Sequence, residues 1–373
     1  MSEVNGRTVC KTNMCSGCHV CADICPRSAV KIVDSLEYYN AVIDTKSCIN
    51  CGLCERICPN NIPPKKLPIK YSYQGWAKNS EIRERSSSGG IATALAQSFV
   101  NNGGVVCSCT FKNGEFVFDF AETVEDTAKF VGSKYVKSNP TGAYALVKNY
   151  VKNGRSVLFI GLPCQVAAMK NWVGDSERLY TVDLICHGTP SPKLLDAFLL
   201  ERGYAKTELS DISFRDCNEF RLAVNGSRTE PETVRDRYTH SFLRGICYTE
   251  NCYSCQYTTN ERVSDITLGD SWGSMLPKEE IERGISLVLC MTDRGRDILL
   301  SSDVHLEDVD MELAIQNNRQ LKEPTAQPEQ RRLFFNSMAK RGGFSSSVMR
   351  CYPRFCIKQK MKSILIKAGL RRG

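Results

Sequence analysis

CSGCHVCADICP, residues 15–26, sets cysteines at 15, 18, 21 and 25 and a proline directly after the last. Further along, SCINCGLCERICPN, residues 47–60, repeats the device with Cys48, Cys51, Cys54, Cys58 and Pro59. Read in part, the first stretch is ambiguous. Cys15-x-x-Cys18-His19 matches a haem-attachment pattern, and Cys15 with Cys18 is half of a zinc site. Read whole, it is C-x2-C-x2-C-x3-C-P, the ligand spacing of bacterial ferredoxins. A cubane cluster takes four soft thiolates at the corners of a tetrahedron. A tight loop supplies three, and in two-cluster ferredoxins the last cysteine of each run serves the other cluster. The pattern therefore assigns Cys15, Cys18, Cys21 and Cys58 to one [4Fe–4S] cluster, and Cys48, Cys51, Cys54 and Cys25 to a second. The crossing ties the repeats into one pseudo-symmetric unit, with His19 a bystander. Pro26 and Pro59 turn the preceding cysteine away from helical geometry.

A chain of 373 residues calls for two or three domains, and 42% hydrophobic residues suffice for packed cores. Twenty cysteines would mean disulfides in a secreted protein. MSEVNGRTVCKTN lacks the apolar core of a signal peptide, and no stretch approaches the ~18 apolar residues of a membrane span. A reducing cytoplasm is the expected setting. Of the 49 Lys and Arg, nine fall in residues 341–373, which contain no Asp or Glu. The remainder is nearly neutral, 40 against 41, so the net charge of +8 is no nucleic-acid signature. There is no G-x-G-x-x-G, Walker A, G-x-S-x-G or H-E-x-x-H run, which leaves hydrolytic and ATP-driven chemistry without a foothold.

Between the cysteine runs, residues 29–33 and 41–44 read as short strands. NNIPPKKLPIK, residues 60–70, follows as an extended segment. From residue 90 to 202, strands at 105–109, 116–120, 157–160 and 180–185 alternate with helices at 91–100, 141–153, 164–172 and 193–202. This pattern predicts an α/β layer. Residues 203–291 read as strand-rich, with the firmest strands at 266–268 and 287–291.

This second part carries its own constellation. Ser86–Ser87–Ser88–Gly89–Gly90 precedes an amphipathic helix, where small residues and a helix N-terminus can receive an anion, or simply form a serine cap and a glycine turn. GSKYVKS (132–138), IGLPCQVAAM (160–169), DLICHGTPSP (183–192), CYTENCYSCQY (247–257) and SDITLGDSWG (264–273) follow. Cys164 and Cys186 close apolar strands, where open α/β sheets bind ligands. With the Cys252-x-x-Cys255 pair they could converge as four thiolates, as a zinc site, or as ordinary buried cysteines.

SSSGG, GSKYVKS, GLPCQ, ICHGTPSP, CYSC and DITLGDSWG occur in an order that resembles the coenzyme F420 hydrogenase/dehydrogenase beta-subunit family, over roughly residues 10–300. The resemblance implies an α+β protein, a small dicluster ferredoxin-like domain followed by a larger mixed α/β flavoprotein domain. Its expected layout is a 2[4Fe–4S] domain at 1–62, a Pro-rich linker at 63–78, N-terminal-type and C-terminal-type beta-subunit regions at 79–160 and 161–320, and a basic tail at 321–373. It implies FAD and a third [4Fe–4S] cluster on Cys164, Cys186, Cys252 and Cys255, with Cys247 as the spare. It also places Ser88, Gly89, Gly90, Lys134, Tyr135 and Ser138 near the flavin. One departure stands out: characterised hydrogenase subunits carry FC-x-E where this chain has ICHGTP. His187 there is a candidate for tuning the cluster or flavin by a hydrogen bond, or a satisfied histidine without a proton-transfer role.

The expected activity is that of an iron–sulfur flavoprotein oxidoreductase. It would pass electrons, in either direction, between ferredoxin-type clusters and, through FAD, a hydride-exchanging small molecule such as coenzyme F420. A redox partner protein or ferredoxin would serve the clusters, and no nucleic acid is expected. The alternatives are an electron-transfer subunit relaying to a partner enzyme and a structural zinc protein with a ferredoxin head. In the tail, Ile357, Met361, Ile364, Leu365 and Ala368 recur at helical spacing among Lys358, Lys360, Lys362 and Lys367. Such a helix can contact a membrane surface or a partner, or end the fold with a solvated cationic face. Core packing is the default for Cys10, Cys107, Cys109, Cys217, Cys290, Cys351 and Cys356.

Overall fold

The computed structural model describes residues 6–217, 219–340 and 342–370. The outer ends of the expected first and last segments, 1–5 and 371–373, lie outside the described residues, as do Asn218 and Arg341. Near the N-terminus the two cysteine runs flank an antiparallel ribbon of β1 (Val30–Asp34) and β2 (Tyr39–Ile43), with Val30 opposite Ile43. Each run enters one short helix, Val20–Asp23 or Leu53–Ile57. Val9, Val30, Tyr39, Ala41 and Ile43 pack with Cys15, Cys21 and Cys58 into a core too small to stand comfortably alone.

The chain continues through β3 (Tyr71–Ala77), β4 (Val105–Lys112), β5 (Glu115–Ala121), β6 (Val157–Gly161) and β7 (Leu179–Leu184). A meander of β8 (Ile212–Asp216), β9 (Glu219–Val224) and β10 (Ser227–Arg228) comes next. β11 (Ile266–Asp270), β12 (Ser286–Cys290) and β13 (Val304–Asp308) then return to the main sheet. That sheet has eight strands in the order β13-β3-β12-β11-β7-β6-β4-β5, with β4, β6, β7 and β11 parallel at its centre. The architecture is α+β, a ferredoxin-like head followed by a larger α/β body.

The alternation expected from apolar runs is present. Helices Ile91–Asn101, Ala143–Lys152, Pro163–Val173 and Pro192–Leu200 connect the strands, the last two begun by proline in the first turn. One expectation is corrected. The linker at 63–78 is extended only up to residue 70, since Tyr71–Ala77 is β3, hydrogen-bonded between β12 and β13. The prolines stop at Pro68, and Tyr71 and Tyr73 pack on the sheet's apolar cluster. Gly75 looks like a linker residue, but the His305 carbonyl crosses where its side chain would be. The strand-rich reading of 203–291 holds for the meander but omits helix Arg237–Leu243 and the turn Glu250–Ser254.

Register decides where chemistry can gather. Gly161 lies beside Asp183, and Leu184 beside Leu268, so β6, β7 and β11 end on one edge. Ser286 opposes both Asp270 and Gly75, so β12 begins and β3 ends on the same edge. GLPCQ, ICHG, DITLGDSWG and SSSGG therefore share it.

Candidate functional site

The two cysteine runs have matching backbones. Gly17 (φ 67°) and His19 (φ 62°) are left-handed in the first; Asn50 (φ 55°) and Gly52 (φ 69°) are left-handed at the same places in the second. These bends turn successive cysteines toward a common centre, and asparagine and glycine adopt them at little cost. The N–H of Gly17 donates to Cys15 Sγ and that of Asn50 to Cys48 Sγ, each at 3.4 Å. Ala29 N–H donates to Cys25 Sγ at 3.2 Å. Hydrogen bonds to sulfur of this kind are among the features that set cluster potentials.

A small cavity is lined by Cys25, Cys48, Cys51 and Cys54, with Val30, Ile43 and Leu53 around them. Cys25 thus faces the second run. Cys58 faces the first, its charge acting on Cys18 and Cys21. The two sets differ in exposure. Cys15, Cys18, Cys21 and Cys58 are buried, whereas Cys51 is exposed and its three companions are half-buried. Cys10, expected only to pack, is a fifth thiol at the first set, within hydrogen-bonding reach of Cys15 and Cys58. Its bond to Cys15 pushes its pKa up to about 11. Burial pushes Cys18 up to about 12, which favours the thiol over the thiolate. Among the described residues no three His, Cys, Asp or Glu side chains close around a single metal ion. A cubane spreads its ligands wider, one thiolate to each iron.

In the body, Cys164 lies in the first turn of Pro163–Val173, Cys186 just past β7, and Cys252 and Cys255 in and after the turn Glu250–Ser254. The fold brings all four together: Cys164 interacts with Cys255 and Cys186, and Cys186 with Cys252 and Cys255. Burial pushes Cys186 up to about 12 and Cys255 up to about 11. Cys247, the spare, is buried in the core beside Tyr238 and Tyr248 and interacts with Cys252. Arg262 fastens the arrangement. It pairs with buried Asp183 at 2.9 Å and donates to the Tyr257, Thr259 and Leu184 carbonyls, joining the chain after Cys255 to the chain before Cys186.

The head is seated on this region. Cys18 lies within electrostatic reach of Cys164. Tyr144 Oη donates to the Cys18 carbonyl at 2.7 Å, Gly142 N–H to Asp23 at 2.7 Å and Tyr257 Oη to the Pro59 carbonyl at 3.0 Å. Lys137 fills the seam. Only 5% exposed, it donates to the Ser16 carbonyl at 2.9 Å, and its charge acts on Cys164, Cys186 and Cys255. Burial, then Lys137, hold the His19 pKa down at about 4. His19 faces Thr141 Oγ1 at 3.0 Å.

The residues expected near a flavin are partly gathered. Ser133 N–H donates to Ser87 Oγ at 2.8 Å, joining SSSGG to GSKYVKS. Gly90 (φ 82°) begins helix Ile91–Asn101 with no side-chain cap, and Ser88 bonds the Ile285 carbonyl at 3.0 Å. Gly89 is wedged against Gly75 and Ser286, with no room for a side chain. The Lys134 ammonium is bonded to the carbonyls of Phe130, Val131 and Gly132. Tyr135 stacks on Phe242 at 4.3 Å, and Ser138 accepts from Gln165 at 2.9 Å. Nearby, Arg215 forms a two-pronged ion pair with Asp270 at 2.7 and 2.8 Å and lies over Phe220 and the partly exposed Trp272. Burial lowers the His187 pKa, and Asp270 opposes that shift. A cavity of ≈ 200 Å³ between Phe99, Tyr180 and Ile298 lies at the opposite edge of the sheet, without thiols or charges.

These features define a dicluster iron–sulfur head on an α/β body, and the 4Fe-4S dicluster domain model matches residues 14–62. Models of the coenzyme F420 hydrogenase/dehydrogenase beta subunit match residues 72–143 (N-terminal) and 154–310 (C-terminal), together more than half of the chain. The chain belongs to the coenzyme F420 hydrogenase/dehydrogenase beta-subunit family. Among solved structures, a chain of the xenon-derivatized F420-reducing [NiFe] hydrogenase complex from Methanosarcina barkeri is 20% identical. The match covers 69% of this chain and 92% of that one, with a TM-score of 0.45. No curated protein matches.

Proposed function

We propose that this chain is a cytoplasmic iron–sulfur flavoprotein oxidoreductase that exchanges electrons with a partner protein through its head and hydride with a small organic molecule in its body. Cys25, Cys48, Cys51 and Cys54 would hold an outer [4Fe–4S] cluster, and Cys15, Cys18, Cys21 and Cys58 an inner one. Cys164, Cys186, Cys252 and Cys255 would hold a third, and FAD would lie along the SSSGG and GSKYVKS segments. When bound, the clusters supply one-electron transfer and the flavin supplies hydride exchange, with coenzyme F420 or a related compound as acceptor.

The chain's own residues order this path. The less buried second set faces a partner, and the buried first set faces the body. Tyr144, Asp23 and Tyr257 fix the head against Cys164. The uncapped N-terminus of Ile91–Asn101 favours an anionic group such as a flavin phosphate. The observation that carries the proposal is the reach from Cys18 to Cys164, which links a ferredoxin set to the body's own thiols. Oxygen-free purification followed by titration with a reduced ferredoxin, NADH and reduced F420 tests it. Bleaching of the flavin and cluster bands by one hydride donor without any second protein supports the enzyme. Bleaching by ferredoxin alone, with no flavin released on denaturation, replaces it with a relay subunit.

A further inference from the structure

The C-terminal helix, Pro353–Lys367, presents two unlike faces. One is docked: Cys356 is buried in the core with Phe344 and Val348, Gln359 accepts the Arg235 N–H at 3.1 Å, and Lys362 Nζ donates to the Thr233 carbonyl at 2.9 Å. At about 100° per residue, the opposite face carries Ile357, Met361, Ile364, Leu365 and, just past the helix, Ala368. An ordinary surface helix turns such a stripe inward. Here it points out, with Ile357 53% exposed, Met361 59%, Ile364 56% and Leu365 37%. Exposed lysines border it on both sides, Lys358 on one flank and Lys360 and Lys367 on the other. Residues 341–373 contain no Asp or Glu.

We infer that this stripe is a docking surface for an anionic lipid bilayer. A row of aliphatic side chains with Lys358 on one flank and Lys360 and Lys367 on the other suits a helix lying in the plane of a membrane interface. The aliphatic groups enter the acyl boundary, and the ammonium groups reach lipid phosphates and carboxylates. No described helix is long and apolar enough to cross a membrane, so the contact is peripheral. Charge selects the occupant: the rims match a negatively charged sheet of lipid and repel a second copy of the same basic helix.

The full-length protein, purified without oxygen, is floated with vesicles of phosphatidylcholine alone or phosphatidylcholine with phosphatidylglycerol. Flotation with the anionic vesicles only, reversed by high salt, is expected. The double variant M361E/I364E and the triple variant K358E/K360E/K367E should each bind at least about tenfold more weakly, with visible spectrum and melting unchanged. All these positions are exposed, so folding is spared. Flotation equal on neutral vesicles, flotation unchanged by both variants, or none on either lipid overturns the inference. A dimer that M361E/I364E dissociates also overturns it, by giving the stripe to a second copy.

Discussion

Replacing Arg262 by methionine removes a cation from one of the most buried ion pairs in the body. The side chains of Arg262 and Asp183 are 2% and 0% exposed. Arg262 also bonds Thr267 Oγ1 at 3.1 Å, the Tyr257 carbonyl at 2.7 Å and the Leu184 carbonyl at 3.1 Å. Methionine leaves buried Asp183 with the bond from Thr267 at 2.6 Å, while its Oδ2 has no partner among the described residues. Stranding one member of a buried pair costs about 3–5 kcal/mol, a large part of the ~5–15 kcal/mol that holds a domain together. The loss falls where Cys255 is registered against Cys186, so the third thiol set should suffer before the head does. Urea denaturation under argon should show the body weakened by about 3–5 kcal/mol. Iron per chain should fall from about twelve to about eight, with the ferredoxin-type signal retained. The double variant R262M/D183L, which removes both charges, should recover most of the stability. R262M with full iron and a stability loss below about 1 kcal/mol would show that the pair does not hold the third thiol set together.

Cys25→Ala should abolish the outer cluster and spare the inner one, because Cys25 lines the cavity with Cys48, Cys51 and Cys54. Mössbauer spectra of the variant check this, and loss of the inner cluster instead would contradict the crossed assignment. Lys137→Met should move the potentials of the inner and third clusters to more negative values and the outer one least, since a buried cation favours the reduced, more negative state. Redox titration followed by electron paramagnetic resonance reads it. His240 stacks on Phe355 of the C-terminal helix at 3.5 Å. Burial first, then Arg244 and Arg235, lower its pKa to about 4. Between about pH 6.5 and 4 the unfolded chain therefore binds a proton that the folded one refuses, and stability falls as pH falls through that window. Protease release of residues beyond Tyr352 should rise over the same range, and His240→Phe should flatten the dependence.

The head was legible from sequence because its ligands are local: spacing encodes loop geometry, and the matched left-handed positions at Gly17/Asn50 and His19/Gly52 follow from it. The strand–helix alternation of the body was legible from apolar runs. The third thiol set was only half so, since its members come from three separated segments that the sheet edge brings together. Cys10, Lys137 and Arg262 carry no local signal. Their importance lies in burial and in partners more than 40 residues away, such as Ser16, Cys58 and Asp183. β3 was hidden because a strand with Gly75 directly after a proline-rich stretch reads as a connector. The tail's helical spacing was readable, but not that its apolar stripe faces outward, which depends on what Cys356 and Lys362 find to hold.

Twelve cysteines in three sets, from the head's surface into the body, are proposed to hold iron–sulfur clusters. Iron, acid-labile sulfide and zinc, measured on protein purified without oxygen, test this most directly. About twelve iron and about twelve sulfide per chain are expected, falling by about four of each in a Cys164→Ala variant. Stoichiometric zinc with no labile sulfide would contradict the proposal.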